Sequence, residues 1–155
     1  MKKFVTSIIR RRRIGSVRDR LMRCKDPPAP FQFKDLVLLG KCFRVHDGDS
    51  FRALVIYKGD LTCLTIRLGG VDCPEISAAR GTLERRIAEK AKAFVQECVD
   101  GKIVTLRLLG NGKYAGRVLA DVTLEDGSDL ANLLVKSRLA FTYDGGRKRK
   151  DWRNL

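Results

Sequence analysis

Hydrophobic and polar positions alternate with a period of two in several stretches of this chain and with a helical period in one. Residues 36–45 and 50–57 are rich in Val, Leu, Ile and Phe and are bounded by turn formers, which predicts two strands with a turn at 46–49. Lys58, Gly59 and Asp60 make the next turn, and 61–71 reads as a third strand. In that strand Leu64, Ile66 and Leu68 fall on one face, whereas Cys63, Thr65 and Arg67 fall on the other, so Arg67 points away from the apolar side. Beyond it, Leu83, Ile87, Ala91, Phe94 and Cys98 recur at helical spacing, predicting a helix to about residue 99 with Thr82 as cap and Gly101 as stop. Two more strands, 102–109 and 117–124, flank Gly110, Asn111 and Gly112. Val118, Ala120, Val122 and Leu124 share one face of the second and leave Arg117 on the opposite one. Ser128 or Asp129 then caps a short helix through Lys136.

Three strands, a helix, two strands and a helix predict an α+β fold: a five-stranded barrel of the OB type, with one helix between strands three and four and a second near the C-terminus. Pro27, Pro28 and Pro30 break any helix over 14–23 and mark a linker. The expected organisation is therefore an N-terminal arm over 1–34, a barrel domain over 35–144 and a tail over 145–155. No apolar run approaches the ~20 residues of a membrane-spanning helix. Arg10 to Arg13 interrupt the N-terminus before a secretory h-region forms, which predicts an intracellular protein. The five cysteines lack any C-x-x-C spacing and read as reduced thiols.

Charge sharpens this organisation. The net charge is +14, and it is carried by the ends. Residues 1–34 hold 11 Lys and Arg against two acids and residues 145–155 hold five against one, while 35–144 is nearly balanced with 16 basic and 15 acidic residues. Basic arms of this kind suit a nucleic-acid partner, since each cation laid on a phosphate releases condensed counterions. Arg10, Arg11, Arg12 and Arg13 are the densest cluster. Such runs also bind anionic membrane surfaces, and an Arg-rich, acid-free start is equally the composition of an organelle transit segment.

Four acids carry candidate chemistry: Asp47 and Asp49 in His46-Asp-Gly-Asp-Ser50, and Asp72 and Glu75 in Arg67-Leu-Gly-Gly-Val-Asp-Cys-Pro-Glu75. One pair lies in the first turn and the other just past strand three, positions that a meander brings to one end of a sheet. Carboxylates converging there suit a hard cation such as Ca²⁺, with Arg67 and Arg117 flanking it. Such a set serves phosphodiester hydrolysis: a carboxylate orients the attacking water, and guanidinium groups stabilise the added charge on phosphorus. Taken singly, Asp-Gly-Asp is an ordinary turn, Asp72 to Glu75 an ordinary loop, and each arginine a surface residue.

Together these residues resemble the staphylococcal nuclease-like (thermonuclease) family. Its Asp-Gly-Asp-Thr, Arg-Leu-x-Gly-Ile/Val-Asp-x-Pro-Glu and Tyr-Gly-Arg-x-Leu-Ala patterns are similar to residues 47–50, 67–75 and 114–120, and the resemblance extends over about 36–143. It implies an OB-fold, Ca²⁺-dependent nuclease acting on DNA and RNA to leave 3′-phosphates. By motif position it implies Asp49 and Asp72 as metal ligands with the carbonyl of Cys73, Glu75 as the residue holding the water, Arg67 and Arg117 as phosphate clamps, and Asp47 as a supporting acid. Lys113 and Tyr114, with the Arg10 to Arg13 cluster, are the expected nucleic-acid contacts. Ser50 stands where the pattern has Thr, and Ala115 adds a residue between Tyr114 and Gly116. Some relatives of this fold are non-catalytic binding or scaffold modules. The complete set of Asp49, Arg67, Asp72, Glu75 and Arg117 favours the enzyme.

Overall fold

The computed structural model describes residues 19, 21–24, 33–112, 116–149 and 151–155. Arg10 to Arg13, Lys113 and Tyr114 lie outside the described residues. The chain divides into two compact units, Met1–Phe31 and Gln32–Leu155. In the first, Asp19 and residues 21–23 are helical, with Leu21 and Met22 exposed.

The second unit contains β1 (Leu36–Asp47), β2 (Ser50–Tyr57), β3 (Asp60–Leu68), β4 (Val71–Asp72), α1 (Leu83–Val99), β5 (Ile103–Asn111), β6 (Arg117–Thr123), α2 (Leu130–Lys136), β7 (Phe141–Thr142) and a closing 3₁₀ turn, Trp152–Asn154. Strands β1, β2, β3, β6 and β5 form a closed barrel in that order, with β5 returning to β1. The five-stranded barrel expected from the sequence is thus present, with its helices after the third barrel strand and near the C-terminus. Among the described strands only β3 and β6 pair in parallel; the connection between them carries β4, α1 and β5. The alternation read from the sequence fills the interior: Phe51, Val55, Ile66, Leu68, Leu106, Leu108 and Val122 are all essentially inaccessible. Thr82 caps α1 by accepting the Arg85 amide, and Asp129 caps α2 through the Asn132 amide at 2.7 Å. Among the described residues no helix is long and apolar enough to cross a membrane.

Two local expectations change. The buried stripe of α1 is Ala88, Ala91, Val95 and Val99, about a quarter turn from the one predicted, and Leu83 is exposed. Both stripes are apolar, but the buried one begins with small residues, and small side chains let the helix axis approach the barrel. Phe94 and Cys98 are left packed at its margin. The third strand ends at Leu68, because Gly70 takes a left-handed conformation (φ +74°). Val71 and Asp72 then leave the barrel and pair with Thr142 and Phe141 of β7, which brings the C-terminal segment alongside Asp72.

Candidate active site

Asp49 sits in the two-residue turn between Asp47 and Ser50, which face each other as the last pair of β1 and β2. Its carbonyl accepts the Leu68 amide at 2.8 Å, and its Oδ2 accepts the Cys73 amide at 3.1 Å. The turn is thereby fixed to both the end of β3 and the loop after β4. The glycine of this turn is required for space. A Cβ built on Gly48 would stand 2.7 Å from the Ala91 Cβ and 2.9 Å from the Cys73 Sγ, so turn, helix and loop meet at van der Waals contact. Gly48→Ala is expected to cost about 1–3 kcal/mol by overpacking and to displace Asp49 from Cys73. A chemical-denaturation midpoint equal to that of the wild type would refute this close approach.

Arg67 draws the two turns' acids together. Its Nη1 pairs with Asp49 Oδ2, and its Nη2 donates to Asp72 Oδ1 at 3.1 Å. The carboxylates it joins are nearly inaccessible, Asp49 at 8 % and Asp72 at 2 % exposure. Arg117 follows on the neighbouring strand. Pairing of Thr65 with Arg117 and of Arg67 with Leu119 makes the two arginines diagonal neighbours on the outer face of the barrel.

Glu75 lies on the exposed loop that leads to α1. The first turn of the helix holds this loop, since Glu84 Oε1 accepts the Glu75 amide at 3.4 Å and the Arg85 guanidinium donates to the Ile76 carbonyl. Arg85 in turn pairs with Glu89 at 2.6 Å. The link between Glu75 and the buried acids is Lys148, whose Nζ lies 2.7 Å from Asp72 Oδ1 and 3.2 Å from Glu75 Oε1. Burial by itself lowers the Lys148 pKa, but the hydrogen bonds and charges of Asp72 and Glu75 outweigh it and the net shift is upward. Beside Asp72 a polar cleft of about 490 Å³ opens between Tyr143, Arg147 and Arg149.

The remaining predicted residues fall around this cluster. Burial pushes the Cys73 thiol up to about 12, so the side chain stays protonated and only the main chain of Cys73 is suited to a cation. Asp47 Oδ1 is buried without a hydrogen-bond partner among the described residues. Burial, then the charges of Arg44 and Arg52, lowers the pKa of His46, which leaves a neutral imidazole. Among the described residues no three His, Cys, Asp or Glu side chains group closely enough to enclose a metal. Two carboxylates converging on one guanidinium, an orphaned carboxylate oxygen and an all-oxygen donor set nevertheless fit a hard divalent cation completed by a backbone carbonyl and water.

Sequence reasoning brought Asp49, Arg67, Asp72, Cys73 and Glu75 to one place, and the structure joins them. It missed Lys148, Glu84 and Arg85. Lys148 stands in a run of basic residues with nothing to separate it from its neighbours, and Glu84 and Arg85 fall largely outside the apolar stripe predicted for the helix. Trp152 is 7 % exposed and stacks on Phe141 of β7 with centroids 5.1 Å apart.

A curated relative, endonuclease Htp3 of Saprolegnia parasitica (strain CBS 223.65), is 32 % identical over 110 residues, which is 64 % of this chain and 52 % of the relative. The chain thus spans about half the length of that relative. Residues 65–154, which include Arg67, Asp72, Glu75, Arg117 and Lys148, match the family described as staphylococcal nuclease homologue. The chain belongs to the staphylococcal nuclease homologue family.

Proposed function

We propose that this protein is a divalent-metal-dependent nuclease that hydrolyses phosphodiester bonds of DNA or RNA, with Ca²⁺ as its metal. The observation that carries this reading is the convergence of Asp49 and Asp72 on Arg67 at the barrel end, with Glu75 linked to the same cluster through Lys148. Family membership and the endonuclease relative support it. Asp49, Asp72 and the Cys73 carbonyl would hold the cation, and Asp47 would stand behind them. When bound there, the cation supplies Lewis-acid polarisation of a phosphoryl oxygen.

The protein's own groups do the rest. Glu75, on an exposed loop pinned to α1, orients the attacking water and takes its proton. Arg67 has five N–H donors, and those not used by Asp49 and Asp72 remain for phosphate oxygens. Arg117, its diagonal neighbour, adds a second guanidinium for the charge that builds on phosphorus. The cleft lined by Tyr143, Arg147 and Arg149 gives the polynucleotide a cationic path beside Asp72. The basic arms over 1–34 and 145–155 add sequence-independent affinity for phosphates.

Incubation with single- and double-stranded DNA and RNA tests the reading, in Ca²⁺, in Mg²⁺ and in excess chelator. Cleavage is expected in Ca²⁺ and none in chelator. Mg²⁺ is expected to support less turnover because it demands octahedral geometry and releases water reluctantly. Full cleavage in chelator overturns the metal role. Binding without cleavage under every condition returns the alternative, a non-catalytic OB-fold module.

A further inference from the structure

The C-terminal tail crosses the acid cluster and is anchored both before and after Lys148. On the near side the Tyr143 amide donates to the Gly70 carbonyl at 2.8 Å. The Tyr143 hydroxyl then donates to the Gly146 carbonyl at 3.0 Å, and Asp144 accepts the Gly146 amide at 3.0 Å. On the far side Arg149 lies over the Phe141 ring at 5.4 Å, Trp152 stacks on the same ring, and Asp151 caps the closing turn. Between these anchors Lys148 reaches Asp72 and Glu75 with a side chain that is still 45 % exposed.

We propose that Lys148 is a tethered cation that occupies the acid site in the metal-free protein and competes with the divalent ion for Asp72. This rests on the proposed metal-dependent reading. Its ammonium shares Asp72 Oδ1 with Arg67, and Asp72 is nearly inaccessible, so this oxygen already carries two cationic partners. A divalent cation brought to the same carboxylate repels the ammonium at close range. The ammonium stands on a flexible four-carbon stem, so rotation about its own bonds takes it off the acids while Trp152 and the 143–146 turn stay in place. The tail therefore neutralises the buried acid when no metal is present, and it weakens the grip on metal by doing so. Arg67 differs from Lys148 in this respect: it is 16 % exposed and bridges two carboxylates, and it stays.

Calorimetric titration of the full chain with Ca²⁺ and with Mg²⁺, without nucleic acid, tests this. Lys148→Met keeps the stem and removes the charge, and it is expected to bind the cation about 5-fold more tightly than wild type, the scale of a partly exposed ion pair. Lys148→Gln should behave alike. Arg147→Met makes the same charge change one residue away, where no ion pair with these acids exists, and is expected to shift affinity far less. Equal tightening by Arg147→Met overturns the proposal, because the effect would then be long-range charge. Unchanged or weaker binding by both Lys148 variants, while Asp72→Asn abolishes binding, overturns the proposal alone and leaves the metal site standing. Absence of cation binding in wild type and all variants overturns both.

Discussion

Arg67→Met is expected to cost about 3 kcal/mol of folding stability, at the lower end of the range for removing one partner from a buried ionic cluster. Asp49 and Asp72 are left at 8 % and 2 % exposure with their shared guanidinium gone, and their like charges then face each other. Lys148 covers Asp72 in part but makes no ion pair with Asp49. Arg67→Lys should recover only a fraction of the loss, because a single ammonium does not present two forked donors to two carboxylates. Asp72→Asn in the Arg67→Met background should restore stability by removing one of the repelling charges, so the two substitutions will not add. Urea unfolding monitored by circular dichroism, on Arg67→Met, Arg67→Lys, Asp72→Asn and the double variant beside wild type, gives all four differences. A loss below about 1 kcal/mol for Arg67→Met, the range of an exposed pair, would show that the cluster is solvated and not buried.

Glu75→Gln and Arg117→Ala are each expected to lower turnover by at least ~100-fold while stability stays within about 0.5 kcal/mol of wild type. Exposure separates the two effects. Glu75 is 57 % exposed and Arg117 is exposed on the outer face, so neither leaves a cavity when changed. Glu75→Gln keeps the shape and the hydrogen bonding of the loop and removes only the capacity to take a proton. On the proposed reading Arg117→Ala removes a charge that would act on the transition state, so the loss should appear in kcat as well as in kcat/KM. Single-turnover cleavage of a defined oligonucleotide, with unfolding midpoints measured on the same preparations, checks both. A folded variant cutting at the wild-type rate would strike that residue from the site.

Local physics alone determined most of the scaffold. Period-two alternation specified β1, β2, β3, β5 and β6 because a barrel strand has one face in the core, and the same alternation put Arg67 and Arg117 outside. Capping chemistry specified the start of the first helix through Thr82 and narrowed the second to Ser128 or Asp129, of which Asp129 is the cap. The acids and arginines were legible as a set because their types and order resemble a family pattern, and the folded chain brings Asp49 and Asp72 onto Arg67. Tertiary structure decided the rest, for reasons no local pattern contains. Which apolar face of α1 is buried was settled by the barrel it packs on, which takes Ala88, Val95 and Val99 along with Ala91, itself set close to Gly48, 43 positions away. Gly70 permits the break after Leu68, but where Val71 and Asp72 go next depended on a partner strand, β7, some 70 residues further along the chain. Lys148 looked like any other cation of a basic tail until Trp152 found Phe141 and laid the tail across Asp72 and Glu75. Charge composition sets how strongly a segment is attracted to acids in general. Which lysine meets which carboxylate is fixed by the anchors on either side of it, and those exist only in the folded chain.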